Sequence, residues 1–152
     1  MLNETLKITG ELQITVFDQD TGEVKDSRKV ENLVVTTGKT FIAAAILKTT
    51  TNSPAAMSHM ELGTGTTAAA AGDTALQTAI SGSRTALSSA TSAANVTTYV
   101  ASFGAGVGTG AVTEAGIFNA SSAGTMLCRT VFSVVNKGAN DAMTITWAIT
   151  VS

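Results

Sequence analysis

The sequence predicts an all-β fold, an antiparallel β-sandwich of jelly-roll type with one short α-helix near residues 38–48. Several segments alternate apolar and polar residues with the period of two that is typical of strands. Short links rich in Gly, Ser, Asn and Asp separate them, which favours antiparallel neighbours. Only one segment has helical spacing, whereas a parallel α/β sheet needs repeated helices. We expect about seven short strands in one domain over the 152 residues.

The N-terminal 35 residues predict a β-hairpin. Four apolar side chains of one parity alternate with polar ones: Ile8, Leu12, Ile14 and Val16. This pattern indicates a strand with one solvated face. The run from Asp18 to Gly22 supplies turn chemistry, because Asp can bond its own backbone and Gly can adopt a positive φ. A second extended run then continues toward Val35.

The period changes over residues 37–48, where the apolar residues Phe41, Ile42, Ala45 and Ile46 fall on one helical face. We expect Thr37 or Gly38 to begin this helix, and Lys48 to lie near its C-terminal end, where the macrodipole favours a cation. The sole proline, Pro54, follows it in a run of turn residues. A short strand is predicted over residues 57–62.

Residues 63–95 are rich in Gly, Thr, Ala and Ser, with three larger apolar residues, Leu76, Ile80 and Leu87. Such a stretch buries little surface by itself, so we expect a long surface excursion pinned at those three residues. Residues 96–103 predict a strand from their β-branched and aromatic content. The glycine-rich residues 104–110 predict a mobile connector, either a flexible hairpin tip or a partner-facing loop.

The C-terminal third predicts three further strands, over residues 113–119, 126–135 and 143–151. Their short links imply that they are antiparallel neighbours. In the last strand, one face carries Ile145, Trp147, Ile149 and Val151, and the other carries three Thr and one Ala. A slip by one residue would expose Trp147 and bury the threonines, so this register is expected to be firmly set.

Composition excludes several classes of function. Charged residues make up 13% of the chain, against about a quarter in typical domains, and the net charge is −2. We therefore expect no nucleic-acid partner and no anionic membrane partner. A single cysteine excludes an internal disulfide and a cysteine-based zinc site. The N-terminus lacks the pattern of a signal peptide, and no apolar run is long enough to span a membrane.

Two glycine-containing strings resemble phosphate-binding motifs and fail as such. Gly38-Lys39-Thr40 lacks the required glycine five residues earlier, where Leu33 stands, so we expect Lys39 to be solvated at the start of the helix. The string from Gly63 to Ala68 fits a dinucleotide fingerprint, yet no βαβ unit follows it and no acidic residue lies about twenty positions further on. Its glycines are expected to allow a sharp turn.

His59 is the only histidine and therefore the only obvious general base. Glu61 is its near acidic neighbour, two residues along the same face of a strand. We interpret the pair as polar packing or an interface contact. A small ligand-binding or enzymatic domain that uses His59 and the Gly63-Thr64-Gly65 turn stays as an alternative, in which His59→Ala would abolish an activity.

Three further residues are candidates for reactive or anchoring roles. Cys128 alternates with Met126, Thr130 and Phe132, as a small buried apolar residue would. Trp147 and Tyr99 could anchor a ligand or partner, but an aromatic on an alternating apolar face favours the core. We therefore expect no catalytic, cofactor or metal site, and the profile favours packing against other proteins over turnover.

Several strings resemble small virion proteins of tailed bacteriophages, a group that includes capsid decoration proteins and attachment domains of tail or baseplate fibres. The resemblance covers residues 30–152. It is carried by these strings: Asn32-Leu33-Val34-Val35-Thr36-Thr37-Gly38, the run from His59 to Ala68, Gly72-Asp73-Thr74-Ala75-Leu76, Thr113-Glu114-Ala115-Gly116-Ile117-Phe118, and the run from Gly124 to Phe132.

The resemblance implies a non-enzymatic virion protein, without a cofactor, that is made in the host cytoplasm. Fibre proteins of this type continue into a long repetitive portion, whereas this chain stops at Ser152. We therefore expect a decoration or cement protein on the capsid exterior, with the major capsid protein and further copies of itself as partners. The N-terminal hairpin, Leu6 to Val30, or residues 63–94 would reach the neighbouring subunits. A tail, baseplate or fibre-attachment protein is the alternative.

Overall fold

The computed structural model describes residues 4–47, 51 and 53–152. Within that part of the chain it contains nine strands and one helix. They are β1 (Ile8–Asp18), β2 (Val24–Val34), α1 (Thr36–Ile46), β3 (His59–Gly63), β4 (Thr85–Ala86), β5 (Ser89–Ala93), β6 (Val96–Phe103), β7 (Gly110–Phe118), β8 (Met126–Lys137) and β9 (Asp141–Val151). No helix among the described residues has the length and apolar character needed to cross a membrane.

All nine strands form one antiparallel sheet in the order β4-β3-β7-β8-β2-β1-β9-β6-β5, which curls into a half-barrel. The expected all-β, antiparallel architecture with one helix is confirmed, and the two-sheet, jelly-roll-like sandwich is wrong. The reason lies in β2, which pairs along its length with β1 but joins β8 only through Leu33 and Val34. The sheet therefore bends at that short junction and stays continuous.

The curl brings the inner faces of the two halves of the sheet into one hydrophobic core. From one half come Leu12, Ile14 and Phe103, and from the other come Leu62 and Ile117, all fully buried. Trp147 lies in the same core, and Ile145 and Ile149 share its face of β9. The prediction for the register of the last strand and for the burial of Trp147 is confirmed.

The N-terminal hairpin is confirmed as β1 and β2. In its turn, Asp18 Oδ1 accepts hydrogen bonds from the backbone N–H groups of Asp20 and Thr21, at 3.0 and 2.9 Å. Gly22 has a φ of 75°, which a residue with a Cβ rarely adopts. The other edge of β1 pairs with β9 over Ile8–Asp18, so the hairpin lies in the middle of the sheet.

The helix begins at Thr36, one or two residues earlier than expected, and its expected end at Lys48 lies outside the described residues. Lys39 is exposed, as predicted. Gly38 is buried because α1 lies directly on β8: a Cβ at residue 38 would come 1.9 Å from the carbonyl oxygen of Leu127. Close packing of helix against strand therefore requires this glycine.

Two expectations about chain connections are wrong. β7 and β8 are antiparallel neighbours as predicted, but β8 and β9 are not, since β9 lies between β1 and β6. Likewise, β6 and β7 lie in opposite halves of the sheet, so residues 104–109 connect the halves, as one interpretation expected, and the hairpin tip is wrong. This connector is anchored where Gly106 N donates to Ala139 O at 2.9 Å.

The excursion over residues 63–95 is pinned by Leu76, Ile80 and Leu87, as predicted: Leu76 is buried, and the other two pack against the core. The same stretch contains β4 and β5, which were not predicted. β4 pairs with β3 and β5 pairs with β6. Residues 85–93 therefore join the two ends of the curled sheet.

Candidate functional site

His59 and Glu61, the pair that the sequence offers for acid–base chemistry, lie on β3 but engage different partners. His59 Nδ1 lies 2.8 Å from Ser58 Oγ. Glu61 Oε2 accepts a hydrogen bond from Arg84 Nη2 at 2.8 Å, and this ion pair is largely buried. Because Glu61 is held by a cation, it does not orient His59 as the carboxylate of a catalytic triad would.

Gly63 and Gly65 are glycines for a reason other than the one expected. Gly63 lies within β3, and residues 64–66 form no turn, so the prediction of a sharp glycine turn is wrong. A Cβ on either residue would lie 2.5 Å from Glu114 Oε1. The backbone must approach this side chain closely, and only glycine leaves room for it.

Glu114 is the organising residue of this region, and sequence reasoning missed it. It sits in β7, fully buried, and its two carboxylate oxygens accept three backbone hydrogen bonds. The donors are Gly65 N at 2.9 Å, Gln77 N at 3.0 Å and Thr78 N at 2.7 Å. One carboxylate therefore fixes both arms of the excursion against β7.

Arg129, on the neighbouring strand β8, balances the charge of Glu114. Its Nε and Nη2 donate to Glu114 Oε2 at 2.9 and 2.8 Å. Nη1 donates to Asp73 Oδ2 at 2.7 Å, and Nη2 donates to Thr67 O at 3.0 Å. We call Glu114, Arg129 and Asp73, with the backbone groups that they bind, the Glu114 clamp. With five donors on one carboxylate, no lone pair of Glu114 is left for a ligand.

The clamp shifts the pKa values of its members in the direction that keeps them charged. Burial acts to raise the pKa of Glu114, but the N–H groups of Thr78 and Gln77 and the guanidinium of Arg129 lower it further, below its ordinary value. Burial acts to lower the pKa of Arg129, and the carboxylates of Glu114 and Asp73 raise it more. The ion pair is therefore a permanent structural element at neutral pH.

A second buried cation, Lys137, ties together two chain connections at one end of the sheet. Its Nζ donates to Gly104 O at 2.9 Å and to Asp141 O at 2.6 Å. Burial lowers the pKa of Lys137. The carboxylate of Asp141 faces Lys25 Nζ at 2.5 Å. Like the Glu114 clamp, these charges hold loops in place.

The remaining sequence candidates lie near the helix. Cys128 is fully buried, as predicted, and burial raises the pKa of its thiol well above the ordinary value. Tyr99 is half-buried and borders an apolar cleft of about 310 Å³ between α1 and the β6–β9 face. Burial raises the pKa of Tyr99. The cleft is lined by Phe41, Ile42, Ala45, Ile46, Thr97, Tyr99, Leu127, Ile149 and Val151.

Among the described residues, no group of three or more His, Cys, Asp or Glu side chains is placed to hold a metal ion. Comparison of the chain with protein-family models, with curated proteins and with solved structures found no match. In the described residues, the buried charges of Glu114, Arg129 and Lys137 hold loops against the sheet.

Proposed function

We propose that this chain is a non-enzymatic structural protein of a tailed-phage particle, one that decorates the capsid exterior and stabilises the head by bridging major capsid subunits. The sequence strings over residues 30–152 support the proposal. So does the use of the buried charges: Glu114, Arg129 and Lys137 hold loops, and no free catalytic group is among them.

The observation that carries the proposal is an uncharged margin of the sheet, which we define as β5, β6 and the connector 104–109. No Asp, Glu, Lys or Arg occurs between Arg84 and Glu114. All five residues of β5 are exposed, and they are Ser, Ala and Thr. Such a surface can be covered by another protein without stripping water from ions, which is the costly part of forming a protein interface.

Repetition makes a modest contact effective on a capsid. Burial of apolar surface contributes about 25 cal/mol per Å², and each decorating copy adds its contacts to those of many others on the same shell. The net charge of −2 suits an outer position, because a liner that faces packaged DNA would carry an excess of Lys and Arg.

The proposal is tested by adding purified protein to phage heads that lack it. We expect saturable binding, and heads that resist heat and chelation better after binding. Thr98→Glu, which puts a carboxylate on the margin, should weaken binding. Ser122→Glu, which puts the same charge on an exposed loop outside the margin, should leave it unchanged. Absence of wild-type binding, or bound heads that are no more resistant, would contradict decoration.

A further inference from the structure

The two edges of the curled sheet differ in whether their backbone groups are already paired. At one edge, β4 covers His59 and Met60 of β3, and the loop that precedes β4 covers the rest. Thr64 N donates to Thr78 O at 2.8 Å, and Ile80 N donates to Leu62 O at 2.9 Å. The backbone groups along β3 are therefore engaged, and β4, the outermost strand at this edge, has only two residues.

The opposite edge is β5, which is bare on its outer side. β5 pairs with β6 over all five residues without a bulge. In the described part of the chain, no strand pairs with its other side. Proteins usually protect such an edge with a charged residue, a proline or a bulge, and Ser89–Ala93 has none of these.

We propose that β5 pairs antiparallel with β5 of a second copy of this chain, about a twofold axis through Thr91. An edge strand offers unpaired N–H and C=O groups, so its partner must be another extended backbone. The pairing would join two half-barrel sheets into one continuous sheet across the axis.

The side chains of β5 are small and uncharged, so they do not oppose pairing with a second copy. With Thr91 opposite itself, Ser89 faces Ala93 and Ala90 faces Ser92 of the other copy. Every such pair is small and uncharged, so no like charges oppose each other across the axis. In a twofold interface the same surface of both copies is in contact.

Cysteine crosslinking tests the pairing directly. Directly opposite residues of antiparallel strands have Cα atoms about 4.5 to 5.5 Å apart, within the range that a disulfide spans. Thr91→Cys should therefore crosslink at least about tenfold faster under mild oxidation than Thr21→Cys, an exposed control in the β1–β2 turn. The native Cys128 is fully buried and does not compete.

The proposed β5–β5 register also predicts which cysteine pairs crosslink. Mixing Ser89→Cys with Ala93→Cys protein should give mainly the mixed disulfide, because these two positions face each other only in the proposed register. Equal crosslinking of Thr21→Cys and Thr91→Cys, or no preference for the mixed disulfide, would overturn the pairing.

A charge variant tests the association without any crosslink. In sedimentation velocity at about 100 μM, the wild type should be a dimer, and Ser89→Lys with Ala93→Lys should be a monomer, because the two lysines then face each other. Ser121→Lys with Ser122→Lys adds the same charge to an exposed loop and should remain a dimer. A monomeric wild type, or a dimeric Ser89→Lys/Ala93→Lys variant, would contradict the proposal.

This pairing supplies the self-association that the proposed function includes, yet it is measured on purified protein alone. A monomer that still binds heads would overturn the β5 pairing and leave decoration standing. A β5-paired dimer that binds no heads would do the reverse.

Discussion

At the scale of single residues, the stability of the long excursion depends on Glu114. A carboxylate in the middle of an apolar strand is unusual, and this one serves two loop segments and one arginine at once. The sequence contains a signal for it, since Glu114 and Arg129 each stand among apolar and small residues. The signal is weak because the pairing of β7 with β8 brings Glu114 near Arg129, and this pairing cannot be predicted from the sequence of either strand alone.

Replacing Glu114 with Gln should destabilise the protein by about 3 to 5 kcal/mol, because Arg129 would remain buried without its counter-charge. The free energy of unfolding, measured with urea, checks this. Glu11→Gln breaks the exposed pair with Lys29, at 3.1 Å, and should change stability by less than about 0.5 kcal/mol. Equal effects of the two substitutions would contradict the account of the clamp.

The clamp also predicts how stability depends on pH. The pKa values of Glu114 and Asp73 are lowered in the folded state, so on acidification the unfolded chain takes up protons before the folded one does. Stability is therefore fully present above the ordinary carboxyl pKa and should fall from about pH 5 toward about pH 3. Urea midpoints across this range should drop less steeply for Glu114→Gln than for the wild type.

Gly63 provides a steric test of the same region. In Gly63→Ala the new methyl group would meet Glu114 Oε1 at 2.5 Å and Thr78 O at 2.6 Å, so we expect a loss of about 1 to 3 kcal/mol. Gly72→Ala meets nothing within 4 Å and should be neutral or slightly stabilising. Thermal unfolding of both variants measures the difference, and a neutral Gly63→Ala would show that the contact is absent.

At the scale of elements, the alternating strands were predictable because each carries its own inward apolar face. β1 and β9 follow from that pattern, whereas β6 follows from its β-branched and aromatic content. β2, in which only Val34 is buried, follows from the turn that precedes it. β4 and β5 were not predictable, since Thr85–Ala86 and Ser89–Ala93 contain no large apolar residue. They become strands because they pair with the free edges of β3 and β6, and their own sequences do not encode those edges.

The packing of α1 on β8 predicts whether Gly38→Ala raises or lowers stability, because helix propensity and steric clash act in opposite directions there. Gly38→Ala improves helix propensity by about 1 kcal/mol, but its methyl group would lie 1.9 Å from Leu127 O, a backbone atom that cannot move aside. We expect the clash to prevail and stability to fall by about 1 kcal/mol or more. Ala43→Gly, on the exposed side of the helix, measures the propensity effect alone. A more stable Gly38→Ala would contradict the close packing.

At the scale of the whole molecule, the architecture depends on where β2 changes partners. A sandwich and a curled single sheet share the same alternating strands, so hydrophobic pattern cannot distinguish them. The difference lies in two residue pairs, Leu33 with Arg129 and Val34 with Cys128. These keep the two halves hydrogen-bonded as one sheet, so the chain has to cross between the halves at residues 104–109 and again at residues 138–140.

The functional proposal also belongs to the scale of the whole molecule, because it concerns the location of the protein on the phage particle. Its central claim is that many copies cover the outside of the head. Gold-labelled antibody against this chain, imaged on intact particles, tests it most directly. We expect label distributed over the head surface. Label confined to the tail tip would contradict decoration and favour the tail or baseplate alternative.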